Sequence, residues 1–325
     1  MRMIDTLKYR LYEVYYAWKE AARTERIVST DTYEADRVAA DIIRLIHAIE
    51  KGLSIENPRP FFGQKKIDDI VSMTNDYAAK YGKESTCVQM ACEALLRWKE
   101  WHAEHGLQSA ELERTVARID ALAESVGFVR GDEPYAGTKT VSLRDIEFDL
   151  PEVKRFFETR HSIRQFSGEK VDREKLRAAI RLAQTAPSAC NRQAVRVYSI
   201  DSKKFIEDMK TDLTGIGGFA DDVDLFLLIT GKLSAYGKFE HNQFIVSAGI
   251  FAGYLSLALH AYNIGACIIQ RSTRVSAQWE AFAQKNGIPA DEQIVCMIGI
   301  GNMKEETVVP VSKRLETDAI YRHLS

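Results

Sequence analysis

The first half of the chain shows a helical pattern of apolar positions. Between Tyr9 and Glu50, and again between Ile67 and His102, apolar residues recur at intervals of three and four, the spacing of one face of a helix. A third helix is predicted over Ala110–Val126. The segment from Asn57 to Gly63 contains two prolines and a glycine and is predicted as a loop. We therefore expect residues 1–135 to form a helical extension.

The second half has a different pattern, in which helical stretches alternate with short apolar runs typical of strands. Strands are predicted over Val195–Ile200, Leu225–Thr230, Ala266–Ile269 and Ile294–Ile300. Helices are predicted over Pro151–Thr159, Arg173–Thr185, Gln243–Asn263 and Ser276–Asn286. This alternation favours helices on both sides of a small sheet. We expect a linker over residues 136–150 and a second domain over residues 151–325.

Charge and cysteine content narrow the functional class. The 325 residues carry 44 Lys and Arg against 46 Asp and Glu, so nothing in the net charge indicates a nucleic-acid partner. The five cysteines include no CxxC pair, which argues against a disulfide framework or a zinc site and favours the cytoplasm. His47 and Glu50 share a helix face, but two residues do not make a metal site. The apolar stretch Phe244–Leu259 is shorter than the ~20 residues of a membrane span, and we expect it to be buried in protein.

The segment from Arg160 to Phe166 is the first candidate for chemistry. If its backbone is extended, alternate side chains point the same way, so Arg160, Ser162 and Arg164 would converge. Two guanidinium groups with a hydroxyl between them suit a phosphate, because each guanidinium can donate paired hydrogen bonds to an oxyanion. The alternative is a solvated basic turn.

The segment from Ala186 to Gln193 is the second candidate. Its small residues would let a flat ligand approach the backbone, and Ser188, Asn191 and Gln193 can both donate and accept hydrogen bonds. An aromatic ring system rich in nitrogen and carbonyl groups needs this combination. The alternative is an ordinary turn between a helix and a strand.

Two further elements complete the pattern. The helix around Ala248–Gly253 has small residues four positions apart, which permits close helix packing in a core or a subunit interface, and it leads into the strand Cys267–Gln270. The strand Met297–Gly301 precedes the basic pair Lys313-Arg314. These two basic residues are ordinary solvated side chains unless the fold brings them close to Arg160.

In this order and at roughly this spacing, the four elements resemble the nitroreductase family of FMN flavoproteins over residues 151–325. The resemblance implies an α+β fold, a nitroreductase-like three-layer sandwich with helices around a small mixed, mainly antiparallel sheet. It also implies a homodimer formed through long helices, with FMN at the subunit interface. No catalytic side chain is expected, because the flavin N5 carries the chemistry.

The resemblance also assigns contacts with the cofactor. They fall on Arg160, His161, Ser162, Arg164, Pro187, Ser188, Ala189, Asn191, Gln193, Ile268, Ile269, Gln270 and Arg314. The four positions Arg160, Ser162, Arg164 and Arg314 would hold the phosphate and ribityl chain or the adjacent flavin edge. Those from Pro187 to Asn191 would come from the partner subunit and line the ring. Ile268, Ile269 and Gln270 would lie near its reactive edge.

The expected function is FMN-dependent, ping-pong hydride transfer from NAD(P)H to an organic oxidant such as a nitroaromatic or a quinone. NAD(P)H would bind transiently, because Gly215–Ala220 follows no predicted strand and is not a dinucleotide fingerprint. The sequence departs from the family at Gln193, which Ala194 follows instead of Pro-Trp, at Gln270-Arg271, and at Ser312. Two alternatives stay open: a non-catalytic flavin or ligand binder whose helical half recruits a partner, and a specialised flavin dehydrogenase or dehalogenase.

Overall fold

The computed structural model of the protein describes residues 2–209, 215–270 and 277–324. The first half is helical, as predicted. Its helices are α1 (Arg2–Ser29), α2 (Glu34–Leu53), α3 (Gln64–Tyr81), α4 (Thr86–Glu104) and α5 (Ala110–Val126).

Two helical stretches that the periodicity predicts as continuous are interrupted. Between α1 and α2, the hydroxyl of Thr30 accepts a 3.3 Å hydrogen bond from the amide of Thr32, and a short 3-10 turn follows. Between α3 and α4, Gly82 has a φ of 102°, a conformation that a residue with a Cβ rarely adopts. Local capping therefore overrides the apolar spacing at both points.

Helices α2 to α5 share one apolar core. Trp98 of α4 is fully buried in it, together with Ile42 and Ile46 of α2 and Ile119 of α5. The predicted loop before α3 also packs on this core, because the indole N–H of Trp98 donates a 2.9 Å hydrogen bond to the carbonyl of Phe62. The extension thus has an interior of its own.

The described residues of the second half form five α-helices and one sheet. The helices are α6 (Leu150–Thr159), α7 (Arg173–Ala183), α8 (Ser202–Met209), α9 (Gln243–Ala261) and α10 (Ala277–Lys285). The strands are β1 (Val195–Asp201), β2 (Leu225–Lys232), β3 (Ile264–Gln270) and β4 (Glu292–Asn302). The strand order is β1-β2-β4-β3, and each neighbouring pair is antiparallel. The four predicted strands are confirmed, whereas α8 was not predicted.

The sheet is covered on both faces. Leu225, Leu227 and Ile229 of β2 pack with residues of α7 and α9. The alternate residues Phe226 and Leu228 pack with residues of α8 and α10 on the opposite face. Because successive side chains of a strand point to opposite faces, this division defines three layers. The predicted fold class, an α+β sandwich preceded by a helical region, is confirmed.

Helix α9 is the one described helix whose length and apolar composition would suit a membrane span. Its Ala248, Leu255 and Leu259 are buried in the cluster that also contains β2 and β3 residues. It therefore packs as a core helix of the sandwich.

The extension docks on the end of the sheet where β2 ends and β4 begins. Arg23 of α1 donates hydrogen bonds to the Gln293 side chain at 2.8 Å and to the carbonyls of Ala290 and Glu292 at 2.9 and 3.0 Å. Asp36 of α2 lies 2.6 Å from the ammonium group of Lys232. Helices α1 and α2 are thereby attached to the second half of the chain.

Candidate functional site

The arginine segment, residues 160–166, runs extended along the outer edge of β3. The amide of Ile163 donates a 2.9 Å hydrogen bond to the carbonyl of Ala266, and the amide of Ser167 donates one to the carbonyl of Asn302 at 2.9 Å. Ile163 and Phe166 are buried and anchor the segment. These contacts hold the segment against the edge of the sheet.

Arg160, Ser162 and Arg164 all influence Cys267 of β3. Burial raises the pKa of the Cys267 thiol, while the charge of Arg164, a hydrogen bond with Ser162 and the charge of Arg160 act in the opposite direction. Arg164 also lies over the Phe219 ring, with its Cζ 6.0 Å from the ring centroid. The charges of Arg160 and Arg164 and the Ser162 hydroxyl thus all act on this one thiol.

His161 borders the same cluster from the direction of α9. Burial lowers the pKa of His260, and the charges of Arg160 and His161 lower it further. The Nε2 atom of His260 lies 2.9 Å from the hydroxyl of Thr159, the last residue of α6. The environment around Arg160 therefore disfavours additional positive charge, which is the electrostatic setting that an anion prefers.

The site loop, residues 186–193, connects α7 to β1. The hydroxyl of Ser188 accepts a 3.0 Å hydrogen bond from the amide of Gln193. Cys190, Asn191 and Gln193 have φ values of 52°, 55° and 52°, in the left-handed region that residues with a Cβ rarely occupy. The side chains of Asn191 and Gln193 are exposed. Pro187, Ser188 and Gln193 border a cavity of about 430 Å³ that also reaches Ser247 and Phe251.

Within one chain, the site loop and the arginine segment lie at opposite edges of the sheet. The strand β1 that follows the loop and the strand β3 beside the segment are the two edge strands. Asp201, at the far end of β1, is level with Ala266 across β2 and β4. Three strand spacings of about 4.8 Å and six residues at about 3.4 Å separate the loop from Ala266 of β3, beside the segment, by roughly 25 Å. One chain therefore does not bring these two groups together.

The three residues at the end of β3 do not share a face. Ile268 and Gln270 lie on one side of the strand, whereas Ile269 is buried on the other side in the cluster with Phe219. Gln270 is exposed. Arg271, which the sequence analysis noted as a departure from the family, lies outside the described residues.

Arg314 lies in the extended C-terminal segment. It is exposed and donates a 2.9 Å hydrogen bond to the carbonyl of Ser312. Among residues 2–209, 215–270 and 277–324, no contact joins it to Arg160 or Arg164. Its assignment to the phosphate stays a prediction.

One residue of the site loop, Arg192, was not assigned from the sequence, and its side chain lies beneath the loop. Arg192 is buried, although Asn191 and Gln193 on either side of it are exposed. The signal that would have found it is this alternation: if both neighbours contact a ligand, the side chain between them points into the protein.

The second half of the chain is similar to a known protein family. The sequence model of the Nitroreductase family matches residues 157–217 and 213–302. All of the matched residues lie in the C-terminal half of the chain, after the N-terminal helical extension. A search of curated proteins finds no match to the chain.

Solved structures similar to the chain cover just over half of it. An FMN-dependent nitroreductase from Clostridium difficile R20291 is 24% identical, with a TM-score of 0.44, and the match covers 52% of this chain and 98% of that one. NfrA2 of Bacillus megaterium is 23% identical, with a TM-score of 0.46, over 54% of this chain and 74% of that one. A nitroreductase family protein from Clostridium difficile 630 is 18% identical, with a TM-score of 0.43, over 52% and 96%.

Proposed function

We propose that residues 151–325 form an FMN-dependent oxidoreductase domain that acts as a homodimer. Hydride would pass from NAD(P)H, by way of the flavin, to an organic oxidant such as a nitroaromatic or a quinone in a ping-pong cycle. Residues 1–135 would be its helical extension and residues 136–150 the linker. The family match of the domain, together with the paired guanidinium groups beside β3, carries this proposal.

The arginine segment fits the phosphate of FMN. No acidic side chain in the described part of the chain forms an ion pair with Arg160 or Arg164, so both positive charges are available to an anion. The hydroxyl of Ser162 lies on the same side. Hydrogen bonds from a guanidinium to a phosphate are about twice as strong as neutral ones. These three side chains would bind the phosphate end and fix the direction in which the cofactor lies.

Exposed apolar surface supports the homodimer. Val246, Ile250 and Tyr254 are exposed at four-residue intervals along α9, and a Cβ added at Gly249 or Gly253 would meet no atom within 4 Å. The extended C-terminal segment adds Val308, Val311, Leu315, Ile320, Tyr321 and Leu324, all exposed. Exposed apolar residues in this number are typical of an interaction site.

Symmetry would then complete the cofactor site. In a two-fold dimer each surface meets its copy, so the site loop of one protomer can face the arginine segment of the other. The roughly 25 Å between these groups within one chain is the reason why a second protomer is needed. We infer two equivalent sites, each built from both chains.

Bound FMN would supply the hydride acceptor and donor at its N5 atom. The side chains of Asn191 and Gln193 would offer donors and acceptors to the ring, and Pro187 and Ala189 would cover it and exclude water. NAD(P)H has no separate dinucleotide site at Gly215–Ala220: Ile216 and Phe219 of that loop are buried, and a 3-10 turn of three residues follows. The nicotinamide would therefore bind only transiently.

We also propose a cytoplasmic location. The five cysteines are free thiols, and four of them are buried. Free thiols persist in a reducing compartment.

The test is the colour of the purified full-length protein. The proposal predicts a yellow protein that releases FMN on denaturation, is bleached by NADH or NADPH without oxygen, and regains its colour when a nitroaromatic or quinone is added. A protein that takes up no FMN contradicts the proposal. A yellow protein that is not bleached supports the non-catalytic binder, and reduced protein that neither oxidant restores supports the specialised dehydrogenase or dehalogenase.

A further inference from the structure

The site loop is built over a buried cation. The Arg192 side chain is only 2% exposed, and its Nη1 lies 2.9 Å from a carboxylate oxygen of Glu240. Its guanidinium also lies over the Tyr236 ring, with the Cζ 5.0 Å from the ring centroid. Burial acts to raise the pKa of Glu240, but the hydrogen bond from the Gly237 amide and the charge of Arg192 outweigh it and hold that pKa below its ordinary value. Glu240 is thus kept ionised for the pair.

A chain of contacts connects this cation to the rest of the loop. The hydroxyl groups of Tyr236 and Ser247 lie 3.1 Å apart. The amide of Ala189 donates a 3.5 Å hydrogen bond to the Ser247 hydroxyl. The loop is therefore held at two points, at Ala189 through the Ser247 hydroxyl and at Arg192 through the Tyr236 ring. The contact between the Tyr236 and Ser247 hydroxyl groups links these two points.

The helical extension packs against the same group of residues through helix α2. Ala40 of α2 is buried in one apolar cluster with Ala194, Ala235 and Tyr236, and Ala189 packs against the same cluster. Helix α2 thus lies directly against both ends of the 189–194 segment. Because Ala40 has the smallest side chain with a Cβ, the helix can approach this closely.

These contacts explain how the loop keeps its backbone conformation. Three residues without glycine's freedom have positive φ values within four positions, 190 to 193. Such conformations cost free energy and persist only when the surrounding structure determines them. Arg192 lies among these residues, and its side chain points away from the exposed Asn191 and Gln193.

We propose that Arg192 is a positioning residue and that helix α2, through Ala40, holds the site loop in the conformation in which Asn191 and Gln193 face the cofactor ring. The extension is then a structural part of the oxidoreductase site. The consequence for catalysis rests on the proposed flavin function. The conformation of the loop itself does not.

A thiol in the loop reports its conformation without any flavin. Cys190 is half-buried, whereas the other four cysteines are buried. We expect a disulfide reagent to label one thiol first in the full chain, and a Cys190→Ser variant to lose that reaction. Arg192→Met should accelerate Cys190 labelling about tenfold, because it leaves Glu240 without its cation. Ala40→Glu should accelerate it to a similar extent, because it places a charge in the apolar cluster between α2 and the loop. Arg192→Lys, which keeps the charge, should restore part of the wild-type rate.

A control variant and a milder variant distinguish a local effect on the loop from a general loss of structure. Arg177→Met removes an exposed arginine of α7 and should leave the labelling rate unchanged. Glu240→Gln keeps the size of the side chain and should act in the same direction as Arg192→Met, with a smaller effect. Circular dichroism of each variant reports whether the helices are intact.

Flavin measurements test the positioning role. For FMN-loaded protein, we expect Arg192→Met to slow flavin reduction by NADH about tenfold and to shift the visible spectrum of the bound flavin towards that of free FMN, with partial rescue in Arg192→Lys. Wild-type labelling rates in both Arg192→Met and Ala40→Glu would overturn the proposal. Faster labelling with an unchanged reduction rate and spectrum would overturn the positioning role. Wild-type protein that takes up no FMN would overturn the proposed function instead, and the labelling experiment would still be decisive for the loop.

Discussion

The amide of Ile163 donates a 2.9 Å hydrogen bond to the carbonyl of Ala266, and this contact fixes the arginine segment along the edge of the sheet. Ile163 points into the protein. The flanking residues Ser162 and Arg164 are therefore held beside the edge strand β3. A rigid support holds ligand-binding groups more accurately than a loop does.

The first prediction concerns the two cations of this segment. Arg160→Met and Arg164→Met should each weaken FMN binding by roughly 10- to 100-fold, because a hydrogen bond to a charged group is worth about 1.5–3 kcal/mol. Fluorescence titration of flavin-free protein measures the dissociation constant. Arg177→Met, on α7, is the matched control. Unchanged affinity in both variants would show that the FMN phosphate does not bind to this segment.

The second prediction concerns the support of the arginine segment. A Cβ at Gly301 would lie 2.7 Å from the Cγ and Cδ1 atoms of Phe166, which anchors the segment. Gly301→Ala should therefore lower the free energy of unfolding by about 1–3 kcal/mol through overpacking and should also weaken FMN binding. Urea denaturation measures the first effect. Gly217→Ala, where a Cβ would meet open space, should change stability by less than about 0.5 kcal/mol.

The third prediction is a pH dependence of stability from His260. Burial, followed by the charges of Arg160 and His161, lowers its pKa from 6.5 in the folded chain. Between that lowered value and 6.5 the unfolded chain binds more protons, so the free energy of unfolding falls as the pH falls through this window. His260→Gln should flatten this dependence in urea denaturation from about pH 7.5 to about pH 5.

Arg160→Met provides a check on the cause. It removes one of the two charges that lower the His260 pKa, so an NMR titration should show that pKa moving upwards, towards its ordinary value. His241→Gln, at an exposed histidine, serves as the control for the stability measurements. A His260 resonance that titrates at the same pH in wild type and Arg160→Met would contradict the proximity of the two groups.

The fourth prediction concerns the exposed face of α9. Ile250→Glu introduces a charge into the apolar surface that we assign to the dimer, and burying an unpaired charge is costly. The variant should be monomeric by light scattering and should lose FMN together with the dimer. Ile55→Glu alters an equally apolar, exposed position of the extension and should stay dimeric. A monomeric wild-type protein that binds FMN would exclude the shared site.

Much of the fold could be predicted from local patterns. The run at Leu225 begins with five consecutive apolar residues, which indicates a buried strand. The run at Val195 is rich in β-branched and aromatic residues, which favours a strand, and both strands are present. Helix α8 was missed because it spans only eight residues and begins directly after β1, with no turn residue between them. The break at Thr30 depends on a single side-chain hydrogen bond, which the apolar spacing does not reveal.

The candidate site, like the fold, could be predicted only in part from local sequence patterns. Arg160 and Arg164 are four residues apart, so the expectation that they lie on one side needs only the local backbone. Arg192 could not be assigned, since its partner Glu240 is 48 residues further along the chain and Ala40 belongs to a different half of the molecule. Contacts between distant segments depend on tertiary packing, which the sequence pattern of one segment does not contain.

The most direct test of the shared site is complementation between two inactive chains. One chain carries Arg160→Met with Arg164→Met, and the other carries Pro187→Trp, which places an indole where the ring would lie. Each variant alone should bind little FMN. When the two are co-expressed with different tags, half of the dimers are mixed and each mixed dimer has one intact site, so about one quarter of the wild-type FMN content should return. Co-expressed protein that binds no more FMN than the separate variants would contradict a site built from both chains.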